Sequence, residues 1–364
     1  MSYAAQRAAL LAIAAETKAA MIPGSDASIW LMANERAAIE AAGGRCYVPG
    51  GSVISGLLRK DVLADWANAA GLVTPETWAP RSEDEVRGLA SLPARPLIVK
   101  LRSHLGNMHW RKAVVPESFS GLLPVVRQLQ AEALIDPTAP REPEDDWPVI
   151  QERHPGSRRE VYNLVGFIHQ ESGRSSFMAT RKVLQYPRSF GVGCGVEAAP
   201  VLPDLRDGVL RLARSAGFFG MVEAEFVPSG SGYLLIDFNP RLFHSVAFTE
   251  RRGLPLSLLS YRAALGEHDA VEALLDSADR NGGAGPRKWV YDIPFHLEVV
   301  GQVTGRSMSP REALGWLAWR WRAPRDVNPA MFAGDDLMPA LVDPLDWAVR
   351  TVRDPRSLAT FVVR

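Results

Sequence analysis

Two strand-like runs joined by a short turn constrain the fold of this chain more than any other feature of its sequence. The first run is "MVEAEFV" (221–227), the second is "YLLIDFN" (233–239), and "PSGSG" lies between them. A short Gly-Ser turn between two such runs is typical of an antiparallel hairpin. The four apolar residues 233–236 show no simple alternation of apolar and polar side chains. The second strand is therefore predicted to be buried in a sheet.

The polar residues of this hairpin alternate along each strand. Asp237, Asn239 and Arg241 lie two residues apart, so an extended strand would point them to one side. Glu223 and Glu225 share a face of the first strand, and pairing can bring Glu225 beside Asp237 or Asn239. Two carboxylates and an amide oxygen suit Mg²⁺, and Arg241 suits a phosphate oxygen or a developing anion. The alternative is a strand end with solvated polar residues and a surface salt bridge.

Charged residues upstream add candidates for nucleotide binding. Lys100 ends the buried run "PLIVK", and Lys60 lies near a helix start. A lysine in such a place can hold nucleotide phosphates as a point charge, although each alone also fits a solvated surface residue. Gln151 and Glu152 end the strand-like run "VIQE", and Glu160 follows a Pro-Gly turn. The segment from Gln151 to Glu160 can present backbone groups to an adenine and a carboxylate to a ribose. Alternatively, it is a charged hinge that binds no ligand.

The charge balance excludes several function classes. The chain has 364 residues with 41 basic and 41 acidic side chains. Such a chain has no global field that would favour nucleic acid or an anionic membrane, so any phosphate binding is expected to be local.

Cys46 and Cys194 lack metal-ligand spacing, which favours a reducing cytoplasm. No apolar run approaches about 18 residues, so neither a membrane span nor a signal peptide is predicted.

Helical and strand-like segments alternate early in the chain, and strands cluster in the middle. This order predicts an α/β or α+β multidomain enzyme. Helices are predicted over 3–20, 27–42, 56–71 and 205–216. The segment 276–288 is predicted to be a surface linker. The tail "REALGWLAWRWR" (311–322) is predicted to pack on the preceding domain, with homodimerisation as a variant and a membrane surface as the alternative.

The ordered set of motifs resembles the ATP-grasp superfamily, and most closely its carboxylate–amine ligases of the D-aspartate ligase kind. The motifs are "KDVLADWANAAGLVTPETW", "IVK", "VIQERHPG", "VEAEF" and "IDFNPR", and "IDFNPR" behind "VEAEF" is the most specific. The resemblance covers most of the chain. It implies an α+β fold with four parts: an abbreviated N-terminal α/β domain (1–55), a small ATP-binding lobe (56–148), a large lobe with the metal site (149–275) and a mostly helical C-terminal extension (276–364).

The resemblance also implies how the nucleotide is held. Lys60 and Lys100 would contact the phosphates of ATP. Gln151, Glu152 and nearby backbone would hold the adenine, and Glu160 would bind the ribose. Lys60, Lys100, Gln151 and Glu152 lie in the quoted motifs, and Glu160 follows the third of them.

The same resemblance assigns the metal ligands and the catalytic groups. Glu225, Asp237 and Asn239 would bind Mg²⁺, with Mn²⁺ as a substitute. Arg241 would steady the transferred phosphoryl group and the acyl intermediate, together with the lysine that ends "IVK". Arg181, in "ATRKV", is a weaker candidate for a contact with substrate or phosphate.

Three positions depart from the family pattern. Asp237 stands where family members commonly have Glu, although the shorter side chain is still a hard oxygen ligand. The segment "LRSHLGNMHWRK" has one glycine, Gly106, where many members have a run that covers the phosphates. Relatives usually open with an additional strand–helix unit, so the first domain is expected to be abbreviated or partly replaced by the helix at 3–20, which would affect substrate recognition.

The activity implied is ATP-dependent ligation of a small-molecule carboxylate to a small-molecule amine. An acylphosphate would form, and ADP and phosphate would be released. No covalent nucleophile is required, which agrees with a chain whose seven histidines show neither a Ser-His or Cys-His signature nor a metal-ligand spacing. Two alternatives stay open: activation of a carboxylate for another acceptor, and a non-catalytic ATP-binding partner subunit.

Overall fold

The computed structural model describes residues 2–89, 95–102, 113–116, 119–132, 136, 138–140, 142–154, 160–186, 192–230 and 232–353. Gly106 and most of its loop lie outside these residues. The helices are α1 (Tyr3–Thr17), α2 (Asp26–Asn34), α3 (Arg36–Ala41), α4 (Gly51–Leu58), α5 (Lys60–Ala69), α6 (Glu83–Gly88), α7 (Leu122–Glu132), α8 (Pro203–Ala216), α9 (Val246–Arg251), α10 (Leu256–Ala264), α11 (His268–Asn281), α12 (Asp292–Thr304), α13 (Pro310–Trp321) and α14 (Met338–Arg353).

The strands form three sheets. They are β1 (Ala20–Met21), β2 (Arg45–Cys46), β3 (Thr77–Trp78), β4 (Leu97–Lys100), β5 (Ala113–Val114), β6 (Val149–Glu152), β7 (Val161–Ile168), β8 (Ser175–Tyr186), β9 (Val192–Ala199), β10 (Gly220–Ser229), β11 (Gly232–Asn239), β12 (Lys288–Val290) and β13 (Val327–Pro329). The large sheet has the order β11-β10-β7-β8-β9-β12-β13, the small sheet has the order β3-β6-β4-β5, and β1 pairs with β2. This confirms an α+β architecture.

The predicted hairpin is present as β10 and β11. Glu225 is the cross-strand partner of Asp237, and Glu223 is the partner of Asn239. The register shifts between Glu225 and Phe226, because Phe226 pairs with Leu235. The extra residue in β11 is a β-bulge. The run 233–236 is apolar throughout because an apolar cluster lies on each face of the strand: Tyr233 and Leu235 pack in one, and Leu234 and Ile236 pack in the other.

Alternation along β10 divides the large sheet into two faces. Val222, Ala224 and Phe226 are buried in an apolar cluster that includes residues of α2, α4, α5 and α8. Glu223 and Glu225 lie between them in sequence and therefore point to the opposite face. Packing of the apolar face thus fixes the direction of the two carboxylates.

The helix predicted over 27–42 is two helices, α2 and α3, which meet at Glu35. Ser25 caps α2: its hydroxyl accepts a hydrogen bond from the Ser28 amide (3.1 Å), and the Ser28 hydroxyl accepts one from the Ser25 amide. This reciprocal arrangement is a capping box. The capping box fixes the start of α2 and therefore the position of Asp26, the first residue of that helix.

The helix predicted over 56–71 is also divided, into the end of α4 and the whole of α5. Arg59 between them has an extended backbone, with φ −84° and ψ 124°, and Lys60 is the first residue of α5. Gly56 lets the Trp66 ring lie against α4, because a Cβ atom at Gly56 would stand 2.3 Å from Trp66 Cη2. The break therefore sets the point at which the Lys60 side chain leaves the helix.

Two segments pair across the domain boundaries that the sequence suggested. β6 starts at the predicted beginning of the large lobe, but it pairs with β3 and β4 in the small sheet. β12 and β13, in the predicted C-terminal extension, extend the large sheet. The linker prediction is wrong for 276–281, which belongs to α11. The division into four domains stays a prediction.

The C-terminal helices pack on the edge of the large sheet. Trp316, Trp319 and Trp347 join an apolar cluster with Leu184 and Phe295. This is the packing expected from the Trp-rich tail. Across the described part of the chain, no helix combines the length and apolar character that a membrane crossing needs.

Candidate active site

Acidic and amide side chains of three adjacent strands meet on one face of the large sheet. Asn239 Nδ2 donates to Glu223 Oε2 at 3.1 Å and to Glu225 Oε1 at 3.2 Å. Asn163, on β7, donates from Nδ2 to Glu223 Oε1 at 3.0 Å. Asp237 lies opposite Glu225 in the hairpin register. The hairpin and β7 therefore gather three carboxylates on one face of the sheet, and two of them accept hydrogen bonds from the Asn239 amide.

Two lysines from different elements neutralise carboxylates of this cluster. Lys60 Nζ, at the start of α5, lies 2.5 Å from Asp237 Oδ1. Lys182 Nζ, on β8, lies 2.7 Å from Glu225 Oε1. Both lysine side chains are nearly buried, with exposed fractions of 9% and 12%. Buried ammonium groups of this kind persist only where negative charge faces them.

Lys100 brings a third ammonium group from the small sheet. Its Nζ donates to Gln151 Oε1 on the neighbouring strand β6 at 2.9 Å. Burial and the charge of Lys60 lower the pKa of Lys100 to about 8, whereas the carboxylates of Asp237 and Glu225 act to raise it. The end of β4 therefore lies within electrostatic range of the carboxylates on the large sheet.

The carboxylate and ammonium groups shift each other's pKa. Burial disfavours the charge of Lys182, but Glu225 and Glu223 outweigh it and hold the pKa of Lys182 above its usual range. Burial raises the pKa of the Glu223 carboxyl above its usual range, and the charge of Lys182 opposes this shift. The cluster therefore shares its charge among closely spaced groups, as active sites commonly do.

Arg241 completes the line of polar residues that follows β11. Its Nε lies 2.6 Å from Asp26 Oδ1, its Nη1 donates to the Leu242 carbonyl at 2.9 Å and its Nη2 donates to Asn239 Oδ1 at 3.2 Å. Three contacts fix the plane of the guanidinium. Asp26 belongs to α2, so the N-terminal helices help to position Arg241.

The residues expected to hold adenine lie in the small sheet. The Gln151 amide is engaged at both ends, because Oε1 accepts from Lys100 and Nε2 donates to Thr77 Oγ1 at 2.9 Å. Glu152 Oε2 lies 3.5 Å from His154 Nε2. The structure brings Gln151 together with Lys100, while contact of Gln151 and Glu152 with adenine stays a prediction.

Arg181 and Glu160 lie together, away from the carboxylate cluster. The Arg181 guanidinium is 3.8 Å from Glu160 and 3.2 Å from Glu197. Successive residues of a strand point to opposite faces, so Arg181 leaves β8 opposite to Lys182. The roles of Glu160 at a ribose and of Arg181 at a substrate remain predictions.

Three residues of the cluster were not among the sequence candidates. Lys182 follows the predicted Arg181 in β8. Because neighbouring residues of a strand point to opposite faces of the sheet, the pairing of β8 with β7 decides which of the two faces the cluster. Asn163 is a polar residue within the otherwise apolar run "VYNLVGFI", which is a detectable signal. Asp26 gave no signal of this contact in the sequence, because it is 215 positions from Arg241.

The oxygens of this cluster fit a hard divalent cation. Glu225 and Asp237 are cross-strand partners. The Asn239 amide turns Nδ2 to Glu225 and Oδ1 to Arg241, so Asn239 would join the ion only after its amide rotates. Mg²⁺ binds through one or two carboxylates together with other oxygen ligands. Both carboxylates already pair with ammonium groups, so a bound cation would take over the place that Lys60 and Lys182 now hold beside them.

Comparison with solved structures relates this architecture to known proteins. One neighbour is the biotin carboxylase domain dimer of Hydrogenobacter thermophilus 2-oxoglutarate carboxylase, in complex with MgADP, ADP and bicarbonate; the TM-score is 0.56 at 16% identity. Another is the Campylobacter jejuni biotin carboxylase with β-γ-ATP, at the same TM-score and identity. The chain has the ATP-grasp fold. The α+β ATP-grasp fold expected from the motifs is thereby confirmed.

The matches are partial. They cover 72% and 71% of this chain but 57% of each neighbour's chain. No family model matches the sequence. No curated protein matches it either. The ATP-grasp fold therefore rests on the architecture, and the chemistry must be argued from the residues of this chain.

Proposed function

We propose that this ATP-grasp protein is an ATP-dependent ligase that joins a small-molecule carboxylate to an amine through an acylphosphate. The observation that carries the proposal is the meeting of Lys60, Lys100 and Lys182 with the Glu225–Asp237 pair where the two sheets approach each other. Three ammonium groups are suited to bind the phosphates of a nucleotide, and two facing carboxylates are suited to bind its metal.

ATP and Mg²⁺ are the cofactors that this arrangement favours. The Hydrogenobacter thermophilus neighbour contains MgADP, and the Campylobacter jejuni neighbour contains an ATP ligand. In this chain Glu225, Asp237 and Asn239 would hold Mg²⁺, which when bound neutralises charge on the phosphates. Mn²⁺ has similar ligand preferences and is expected to substitute.

The first chemical step is phosphoryl transfer to the substrate carboxylate. A carboxylate oxygen attacks the γ-phosphorus, the bond from this phosphorus to the bridging oxygen of ADP breaks, and ADP leaves. Lys60 and Lys100 orient the phosphates, and Arg241 faces the negative charge that develops on the transferred group. Asp26 and Asn239 hold the guanidinium in place.

The second step forms the amide. The amine nitrogen attacks the carbonyl carbon of the acylphosphate, phosphate leaves with the electron pair of the carbon–oxygen bond, and the nitrogen loses a proton. No covalent enzyme intermediate is needed. Arg241 can remain on the acyl oxygen through both steps, since three contacts fix its plane.

A second candidate is activation of a carboxylate for an acceptor other than an amine. The bicarbonate in the Hydrogenobacter thermophilus complex supports it, because that neighbour combines a nucleotide with a small oxyacid. Homodimerisation is likewise a proposal, supported by the dimer described for the same neighbour.

The test is ADP release by the purified protein with Mg²⁺-ATP and pools of carboxylates, with and without amines. Asp237→Asn and Lys100→Ala should abolish the stimulated release, whereas the exposed controls Asp335→Asn and Lys18→Gln should retain it. Release that needs an amine supports the ligase. Release with a carboxylate alone, trapped by hydroxylamine as a hydroxamate, supports the second candidate. Absence of nucleotide binding would overturn both.

A further inference from the structure

A group of histidine and glutamate side chains lies at the turn between β7 and β8. His169 follows β7, Glu171 lies in the turn and His268 begins α11. His169 Nε2 is 2.9 Å from Glu171 Oε2 and 3.1 Å from His268 Nδ1, and the last two atoms are 3.5 Å apart. Within the described residues, this is the group of His, Cys, Asp and Glu that places three ligand atoms within 4.8 Å of one another.

Both ring nitrogens of His169 face carboxylates. Its Nδ1 lies 2.7 Å from Glu272 Oε1, and its Nε2 lies 2.9 Å from Glu171 Oε2. A metal ion at Nε2 would bind the lone pair of that nitrogen, and Nδ1 would then keep its proton and donate it to Glu272. Nε2 is the nitrogen that faces His268 and Glu171. A carboxylate on the distal nitrogen is the usual support of a metal-binding histidine.

The surrounding residues hold this support in place. Glu272 also accepts from Ser172 Oγ at 2.6 Å, and its second oxygen pairs with Arg174 at 3.0 Å. On the other side, Tyr47 OH donates to Glu171 Oε2 at 2.9 Å. Two of the three inner side chains therefore have a partner that orients them.

The distances among the three inner atoms match ligands of one ion. Zn–N and Zn–O bonds of about 2.0–2.2 Å in a tetrahedral site give ligand separations of roughly 3.3–3.6 Å, and the observed 2.9, 3.1 and 3.5 Å need only small adjustments. We propose that His169, Glu171 and His268 bind a divalent transition metal of the Zn²⁺ class. Two imidazoles and a carboxylate select such an ion over Mg²⁺.

This metal site is separate from the proposed active site. Asn163, which contacts Glu223, precedes His169 by six residues of β7, which corresponds to about 20 Å of extended strand. The site connects three segments: the β7–β8 turn, the start of α11 and, through Tyr47, the residue after β2. Its role is therefore structural, and it does not depend on the proposed ligase activity.

Sequence spacing gave no sign of the site. His169 and His268 are 99 positions apart, so a search for ligand spacing along the chain does not find this pair. The β7–β8 hairpin and α11 bring the two rings to a centroid distance of 5.3 Å.

The test is metal binding by the full chain after treatment with EDTA, in excess Mg²⁺ to occupy hard oxygen sites. We expect one equivalent of Co²⁺ to give the intense visible bands of a tetrahedral complex, and Zn²⁺ to displace it and raise the melting temperature. Glu272→Gln should weaken Zn²⁺ binding about 10–100-fold. His268→Ala should remove the bands altogether, and the control His296→Ala should keep them.

His268 is 44% exposed, so its replacement is compatible with folding, which circular dichroism will verify. Unchanged Co²⁺ bands in both His268→Ala and Glu171→Gln would overturn the proposal, as would a wild-type protein that binds no Co²⁺. Loss of the Co²⁺ bands in these variants, with nucleotide binding unchanged, would show that the metal site and the proposed ligase site are independent.

Discussion

The ammonium group of Lys60 lies 2.5 Å from Asp237 Oδ1 and joins the first turn of α5 to β11. The backbone amide of Lys60 also donates to the Arg102 carbonyl, just beyond the end of β4, at 3.2 Å. One residue thus connects the large sheet, the small sheet and the N-terminal helices. Any phosphate that shares a metal with Asp237 will lie within reach of this ammonium group.

Replacing Lys60 should change Mg²⁺ and nucleotide binding in opposite directions. In Lys60→Gln the Asp237 carboxylate loses its ammonium partner, so it should bind Mg²⁺ more tightly in the absence of nucleotide. ATP should bind at least about tenfold more weakly, because a charge-assisted contact is lost. Calorimetric titration with each ligand checks this, with the exposed Lys18→Gln as control. Changes of the same sign for both ligands would contradict the assignment.

The Lys182–Glu225 pair should contribute to stability as a buried ion pair. Its side chains are 12% and 16% exposed, so removing one charge leaves the other poorly solvated. A double-mutant cycle with Lys182→Met and Glu225→Gln should give a coupling free energy of about 2–3 kcal/mol. The exposed Arg36–Glu40 pair is the matched control, with an expected coupling of about 0.3–0.5 kcal/mol.

The same cycle separates stability from activity. The double variant should recover part of the stability that each single variant loses, because no uncompensated charge remains. It should not recover ADP release, since the proposed metal ligand Glu225 is still absent. Chemical denaturation and the ADP assay check the two quantities. An active double variant would show that Glu225 is not a metal ligand.

Local sequence signals were sufficient for the hairpin and for several site residues. The alternation of Glu223 and Glu225 with apolar residues fixes their face, and a short turn fixes the partner strand. The choice of Asp237 over Asn239 as the cross-strand partner of Glu225 also depends on the β-bulge next to Phe226, which the sequence did not reveal. The apolar run before Lys100 is a local signal too, and it predicts that the buried strand β4 ends at this lysine.

Contacts between distant segments could not be predicted in this way. Lys182 faces Glu225 across β7, and a register shift next to Lys182 interrupts its pairing with β9, so the choice between Arg181 and Lys182 needed the sheet. Asp26 reaches Arg241 only because α2 packs beside the end of β11. Neither contact leaves a periodic pattern in the sequence.

Lys100 should make nucleotide binding depend on pH. Burial lowers the pKa of Lys100 to about 8, so the free protein loses this positive charge as the pH rises through 8. Bound phosphate favours the charged form, so ATP affinity should fall above pH 8 and binding should take up a proton. Calorimetry in buffers of different ionisation enthalpy measures this uptake. Lys100→Arg, which stays charged, should abolish it.

The same shift has a defined sign for stability. The pKa of Lys100 in the folded protein, about 8, is lower than the unfolded value of about 10.4, so between these values the unfolded chain binds more protons. The buried charge of Lys100 lowers the free energy of unfolding. This unfavourable contribution is fully present below pH 8 and is relieved as the pH rises towards about 10.4. The free energy of unfolding of wild type should therefore rise relative to Lys100→Met over this window. A fall relative to Lys100→Met would contradict the assigned shift.

Arg241 should act in the phosphoryl-transfer step, with Asp26 as its positioning residue. Arg241→Lys keeps the charge but loses the planar group that contacts Asp26, Asn239 and Leu242, so kcat should fall about 100-fold with little change in the KM for ATP. Asp26→Asn should give a smaller fall in kcat, because the guanidinium remains but one of its contacts is weakened.

A variant that carries both changes tests whether Asp26 works through Arg241. If it does, adding Asp26→Asn to Arg241→Lys should lower kcat no further, because the geometry that Asp26 maintains is already lost. Additive losses would mean that Asp26 acts on the substrate directly or through the fold. Arg36→Lys, at an exposed ion pair on α3, is the control and should leave kcat unchanged. Single-turnover measurements of ADP formation distinguish these outcomes, because they report the step in which Arg241 faces the developing charge.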